Sequence, residues 1–172
     1  MIKSDAKLKK LTSVFSEKNK ILITEAIDSL RDEQPFEGAV RLLTSLYDNT
    51  GEDDIRKAVE SFMNDLKDQS VVPEVIAEIK RGWKPGTTRM LVSSCWQSGL
   101  NYSSFISDLA ETFIKGDYIT AVECMTVIEE FIHEVNRNEK DKIIRKIEER
   151  DLTSGNEKAP LTLELISILR QK

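Results

Sequence analysis

Apolar residues recur at helical spacing along almost the whole of this chain, and no useful length shows the period-two alternation of a strand. Ile23, Ala26, Ile27 and Leu30 mark a first stripe, and Phe36, Val40, Leu43 and Tyr47 a second. Ile55, Val59, Phe62 and Leu66 follow, then Val72, Val75, Ile76 and Ile79. Leu91, Val92, Cys95 and Trp96 mark a fifth; Phe105, Ile106, Leu109 and Phe113 a sixth. Tyr118, Val122, Met125, Ile128 and Ile132 mark a seventh, Ile143, Ile144 and Ile147 an eighth, and Leu161, Leu165 and Leu169 the last. The spacing predicts an all-α protein.

Punctuation places the helix ends. Pro35, Pro73, Pro85 and Pro160 sit where helices should begin, since a first-turn residue needs no N–H partner. Asp53 and Asp117 are positioned to accept free amides at helix starts. Gly82 and Gly116 fall just past periodic runs, where a left-handed residue closes a helix. The polar stretch 151–159 reads as an exposed loop, after which Leu161, Leu165, Ile168 and Leu169 should dock a final helix back onto the fold.

Short, closely spaced helices pack against their sequence neighbours, so the expected architecture is stacked antiparallel helix pairs. The segments also resemble one another. Aligning Arg56 with Arg89 gives a spacing of 33 residues, and Arg89 with Thr120 one of 31; the preceding helices, opening near Pro35, Pro73 and Tyr102, repeat at 38 and 29. A loose period in the thirties with two helices per unit is the signature of an α-solenoid.

Asp54–Val59, an aspartate followed by Ile-Arg-x-Ala-Val, resembles the second helix of a HEAT repeat. Thr88–Val92 and Ile119–Val122 resemble degenerate copies, with Thr120 in place of the arginine. The resemblance covers residues 35–135, as three helix pairs, with 18–34 as an N-terminal capping helix and 136–172 as C-terminal capping helices around the 151–159 loop, all within a single helical-repeat domain. It implies an armadillo-like α–α superhelix whose second helices line an inner surface. It implies no reaction, and the small/large signature of tetratricopeptide units is not visible.

Charge is unevenly spread over the net −5: residues 21–80 carry −8 and 101–134 carry −6, while 81–100 carry +3 and the N-terminal twenty carry +4. Lys7, Lys9, Lys10, Lys18 and Lys20 make that N-terminus basic, as a solvated helix or a frayed end. No acidic residue lies between Glu78 and Asp108. That window holds Lys80, Arg81, Trp83, Lys84, Arg89, Trp96 and Tyr102, the candidate interaction residues, because tryptophan, tyrosine and arginine most often anchor interfaces. It should form a neutral-to-positive patch between acidic regions. Trp96 shares a stripe with Val92, which favours core packing. Trp83, in a turn, is either an inter-repeat wedge or a binding anchor.

Other chemistry is thin. His133 is the one histidine, which excludes a multi-histidine zinc site and argues against the usual histidine-dependent triads. Glu130-x-x-His133 occurs once, whereas a di-iron carboxylate bundle needs it twice. Glu123, Glu129, Glu130 and Glu134 read as a solvated face of the seventh helix, or as an acidic patch for a basic partner. There is no phosphate-cradling glycine motif. Cys95 and Cys124 read as buried free thiols in a reducing compartment, the start of the chain does not read as a secretory signal, and no apolar run suits a membrane span, so the expectation is cytoplasmic. The functional expectation is a non-enzymatic scaffold without cofactor or metal that binds another macromolecule, foremost a protein rather than nucleic acid or membrane. The alternatives are a HEAT-like nucleic-acid binder or enzyme of the DNA glycosylase type, which a pI near 5.1 disfavours, and a self-assembling structural subunit.

Overall fold

A computed structural model describes residues 1–151 and 157–171. These residues form ten α-helices and no strand; the one β-type contact is an isolated bridge between Ile2 and Phe36. The chain divides into two compact units, Met1–Leu100 and Asn101–Lys172.

The first unit holds α1 (Asp5–Phe15), α2 (Lys20–Ser29), α3 (Ala39–Asn49), α4 (Asp53–Asn64), α5 (Val72–Ile79) and α6 (Pro85–Gln97). Consecutive helices pack in pairs, α1 on α2, α3 on α4 and α5 on α6. The pairs then stack in register: α3 contacts α1 and α5, while α4 contacts α2 and α6. Odd and even helices thus form two layers. Ile27, Leu43, Val59, Met63, Val75, Leu91 and Cys95 are fully buried within them.

The basic N-terminus is a helix. Ser4 caps it by accepting from the Lys7 amide, and Leu11 buries its apolar side. The expected lone capping helix at 18–34 is therefore half of a pair. Pro35 does not open a helix. The Ile2 amide donates to the Pro35 carbonyl and the Glu37 amide to the Ile2 carbonyl, holding this segment extended until Gly38, at φ 89°, turns the chain into α3. Pro73 and Pro85 do lie in first turns. Asp53 is the first residue inside α4 rather than its cap. Gly82 is left-handed as expected, with φ 84°.

The second unit holds α7 (Ile106–Lys115), α8 (Tyr118–Phe131), α9 (Arg137–Asp151) and α10 (Ala159–Arg170). Here α7 packs on α8 and α9 on α10, with α9 also on α7 and α10 on α8. The Asp117 carboxylate caps α8 through the Thr120 amide at 2.8 Å. Gly116 is extended rather than left-handed; its glycine is explained by crowding, since a Cβ there would lie 2.9 Å from Thr120 Cγ2. The last helix docks through Leu161, Leu165, Ile166 and Leu169, with Ile168 half-buried at the rim of the stripe.

Most of the loop expected at 151–159 lies outside the described residues. Its end departs from expectation: Lys158 is buried, and its ammonium donates to the carbonyls of Phe113 at 2.9 Å and Ile114 at 2.6 Å. A cation there meets the negative end of α7, where orphan carbonyls accumulate.

Polar contacts repeat at a nearly fixed sequence distance. In the first unit Arg31 bonds Asp65 (34 residues on), the Arg41 amide bonds Glu74 (33) and Asn64 bonds Gln97 (33). In the second, Asn101 bonds Glu134 (33), Arg137 bonds the Arg170 carbonyl (33) and Lys146 bonds Glu111 (35). Arg41–Glu74, Asn64–Gln97 and Lys146–Glu111 join helices that are neighbours in one layer, whereas Arg137–Arg170 joins the start of α9 to the end of its own pair partner α10.

Candidate functional site

The acid-free window does not remain acid-free once folded. Glu78, at the end of α5, is 2 % exposed. Its Oε2 accepts from Arg81 Nε at 2.8 Å and from Trp83 Nε1 at 3.2 Å. A buried carboxylate needs such partners, because desolvation disfavours its charge. Trp83 is thereby half-buried in the turn before α6, held by its indole N–H.

Asp48, at the end of α3 and 9 % exposed, performs the second neutralisation. Its Oδ1 accepts from Thr87 Oγ1 at 2.7 Å and from the Lys84 amide at 3.2 Å. The Lys84 ammonium lies 3.4 Å from Oδ2 and also donates to the Asp48 carbonyl. Lys84 occupies the N-cap of α6 and offers no side-chain cap of its own. Asp48 therefore caps α6 from a different helix, its charge facing the positive end of the helix dipole. Burial pushes the Asp48 carboxyl upward, but the bonds from Thr87 and Lys84 outweigh it and hold the group below its ordinary value of 3.8.

A third cluster lies alongside. Tyr47 donates to Glu60 Oε1 at 2.6 Å, and the Arg56 guanidinium stacks over its ring at 5.4 Å. Burial, then the bond to Glu60, push the Tyr47 phenol up to about 12, with Arg56 and Arg89 opposing. A tyrosine so raised holds its proton and serves as a donor, not as a base. The Asp48 and Tyr47 clusters join α3 to the α5–α6 turn, to α6 and to α4, while the Glu78 cluster ties the end of α5 to the turn that follows it. Their chemistry is structural.

The remaining window residues separate. Lys80 is exposed and Arg89 half-buried. Tyr102 is fully buried in the second unit, its ring 6.5 Å from Phe131, so it is core and unavailable to a partner. Trp96, expected in the core, is 39 % exposed while Val92 is buried. The buried stripe of α6 runs through Leu91, Ser94, Cys95 and Ser98, with Val92 at its edge. Four residues advance a helix by about 40° beyond a full turn, which carries Trp96 past that edge.

What sequence reasoning missed is the distribution of exposed apolar side chains. Among the described residues, apart from Met1 and Ile2, every exposed large hydrophobic residue lies on an even-numbered helix: Ile21 and Leu22 on α2, Trp96 on α6, Tyr118, Ile119 and Val122 on α8, and Leu163 on α10. Among the described residues the first helix of each pair exposes none. An open cleft of about 570 Å³ lies in the first unit, with Phe15, Ile23, Leu42, Leu46 and Ile55 on its walls and the Lys20–Glu52 ion pair at its rim.

Among the described residues no group of three or more histidine, cysteine, aspartate or glutamate side chains could hold a metal ion. No helix among them is long and apolar enough to cross a membrane, and both cysteines are buried. No protein-family model, curated protein or solved structure matches this chain.

Proposed function

We propose that this chain is a non-enzymatic helical-repeat scaffold of the HEAT kind, a superhelix of stacked pairs whose second helices dock another protein. The confinement of exposed apolar side chains to the even helices carries the reading. Apolar exposure scattered by chance would fall on both helices of a pair, whereas a docking surface gathers it on one. Repeat arrays present one layer to partners and use the other for packing. The contacts at 33 to 35 residues between successive helices of one layer are consistent with the repeat.

Protein suits this surface better than nucleic acid. Two of the cations that a nucleic-acid binder would turn toward phosphates, Arg81 and Lys84, are tied to Glu78 and Asp48, and the even helices offer aliphatic and aromatic side chains instead. Two buried cysteines with no disulfide framework suit a reducing, cytoplasmic setting.

The test is cross-linked affinity capture from the native cell with the wild-type chain, a Trp96→Ser variant and a Tyr118→Ser/Ile119→Ser variant. All three should melt within a few degrees of one another, because the substituted positions are exposed. At least one protein should be captured by the wild type and lost from a variant. If every captured protein is indifferent to both sets of substitutions, the scaffold reading falls.

A further inference from the structure

Helix α8 is apolar on two opposite sides. Ala121, Cys124, Val127, Ile128 and Phe131 bury one of them. The other presents Tyr118 and Ile119, each 49 % exposed, and Val122, 37 % exposed. Met125, half-buried, continues the same face, and one turn further on the face ends in the exposed Glu129 and Glu130. On a helical wheel Tyr118, Val122, Met125 and Glu129 fall within about 60° of one another, with Ile119 and Glu130 on the adjoining rows. The surface is thus a single strip about 18 Å long, apolar at its first half and acidic at its second.

The last turn of α8 contains no basic residue, and the negative end of the helix dipole adds to the two carboxylates. Charge at this end is unfavourable to the isolated helix, while an apolar strip opposite a buried face favours a cover.

Resting on the scaffold reading above, we infer that α8 receives a basic amphipathic helix of a partner protein, its apolar residues on Tyr118, Ile119 and Val122 and its lysines or arginines on Glu129 and Glu130. Helix-in-groove docking reads anchors at i, i+3, i+4 and i+7, which is the spacing α8 offers in return. Other occupants fit less well. Glu129 and Glu130 repel a phosphate backbone or an anionic membrane. The chain's own basic helix, α1, cannot serve from a second copy, because Leu11 is buried and Leu8, Val14 and Phe15 are already partly covered within its own unit.

The test uses the full chain and a fluorescein-labelled synthetic peptide of about 18 residues, a leucine stripe flanked by lysines, read by anisotropy. A scrambled peptide and a leucine/glutamate counterpart are the controls. The wild type should bind the leucine/lysine peptide saturably. Ile119→Ser/Val122→Ser should weaken it at least about tenfold, a change of about 1.4 kcal/mol. Glu129→Lys/Glu130→Lys should weaken it similarly and bind the leucine/glutamate peptide instead. Circular dichroism melts of both variants should match the wild type. Absence of saturable binding, or equal affinity across the wild type and both variants, overturns the inference. Loss of a captured protein from Trp96→Ser, alongside unchanged peptide binding in both α8 variants, overturns this site and leaves the scaffold reading intact.

Discussion

Replacing Asp48 by alanine should be among the most destabilising single changes on the polar side of the first unit. The carboxylate accepts from the Thr87 hydroxyl and the Lys84 amide and sits 3.4 Å from the Lys84 ammonium. Thr87 is 3 % exposed, so its hydroxyl loses an acceptor where little water can replace it. A hydrogen bond to a charged group contributes about 1.5–3 kcal/mol, and loss of a helix cap about 1. The ion pair adds little, because the Lys84 side chain is 65 % exposed. These contributions overlap in one carboxylate, so the expected loss is about 2–4 kcal/mol in urea denaturation, with an unchanged m-value. Asp48→Asn keeps an acceptor for Thr87 and should lose about half as much. The pH dependence follows from the lowered folded pKa. The ionised carboxylate favours the fold above the ordinary value of 3.8, and that contribution disappears as pH falls through the folded value. Wild type and Asp48→Asn should therefore differ at neutral pH and converge in acid. An Asp48→Ala loss below about 0.5 kcal/mol would refute the cross-helix cap.

Three further outcomes follow from the same contacts. Trp83→Ala should cost about 1–2 kcal/mol in chemical denaturation, since the ring is half-buried and its N–H serves Glu78; a loss above about 3 kcal/mol would make it an inter-helix wedge. Lys158→Ala should cost about 2–3 kcal/mol by uncovering the Phe113 and Ile114 carbonyls, and a loss below about 0.5 would mean that water replaces the ammonium. Glu111 is held at about 2, below its ordinary 4.5, by Lys115 first and then Lys146. Its stabilisation is present above pH 4.5 and lost as pH falls toward 2, so Glu111→Gln should destabilise by under about 1 kcal/mol at neutral pH and by nothing in strong acid; a constant difference across that range would contradict the pairing.

The helices themselves were legible because burial repeats along each of them. Ile55, Val59 and Met63 on α4, or Leu109 and Phe113 on α7, carry a spacing that only a helix turns to one side. The first helix was only half legible, as a solvated helix or a frayed end. Lys7, Lys9 and Lys10 mask a stripe in which Leu11 alone is buried. Trp96 was misread because four-residue spacing drifts round a helix, so a neighbour of a buried valine can sit beyond the stripe. The carboxylate partners were out of reach for a different reason. Glu78 stands at the edge of the window, but Asp48 precedes Lys84 by 36 residues, and a net charge per segment cannot say which side chains meet across a layer. The apolar face of α8 hid in plain view: Tyr118, Val122 and Met125 formed part of the stripe that marked the helix, and only burial separates them from Ile128 and Phe131.

That separation bears on where selectivity for a partner would reside. In the first unit the cationic and aromatic residues nearest the α5–α6 turn are committed internally: Arg81 and Trp83 to Glu78, Lys84 to Asp48. Committing them has a physical consequence. A guanidinium already bonded to a buried carboxylate gains less from a second anion than a solvated one does, and withdrawing it would leave Glu78 with one donor fewer. For a partner, binding free energy is more readily drawn from exposed groups, among them the apolar side chains of the even helices and Glu129 and Glu130 of α8. The first contribute area and the second contribute sign. Area without sign would hold any apolar segment, and sign without area would hold only weakly at physiological salt, where exposed pairs are screened beyond about 8 Å. The two occur together on α8, which is the physical reason to look for discrimination there, and for added contact area at Trp96.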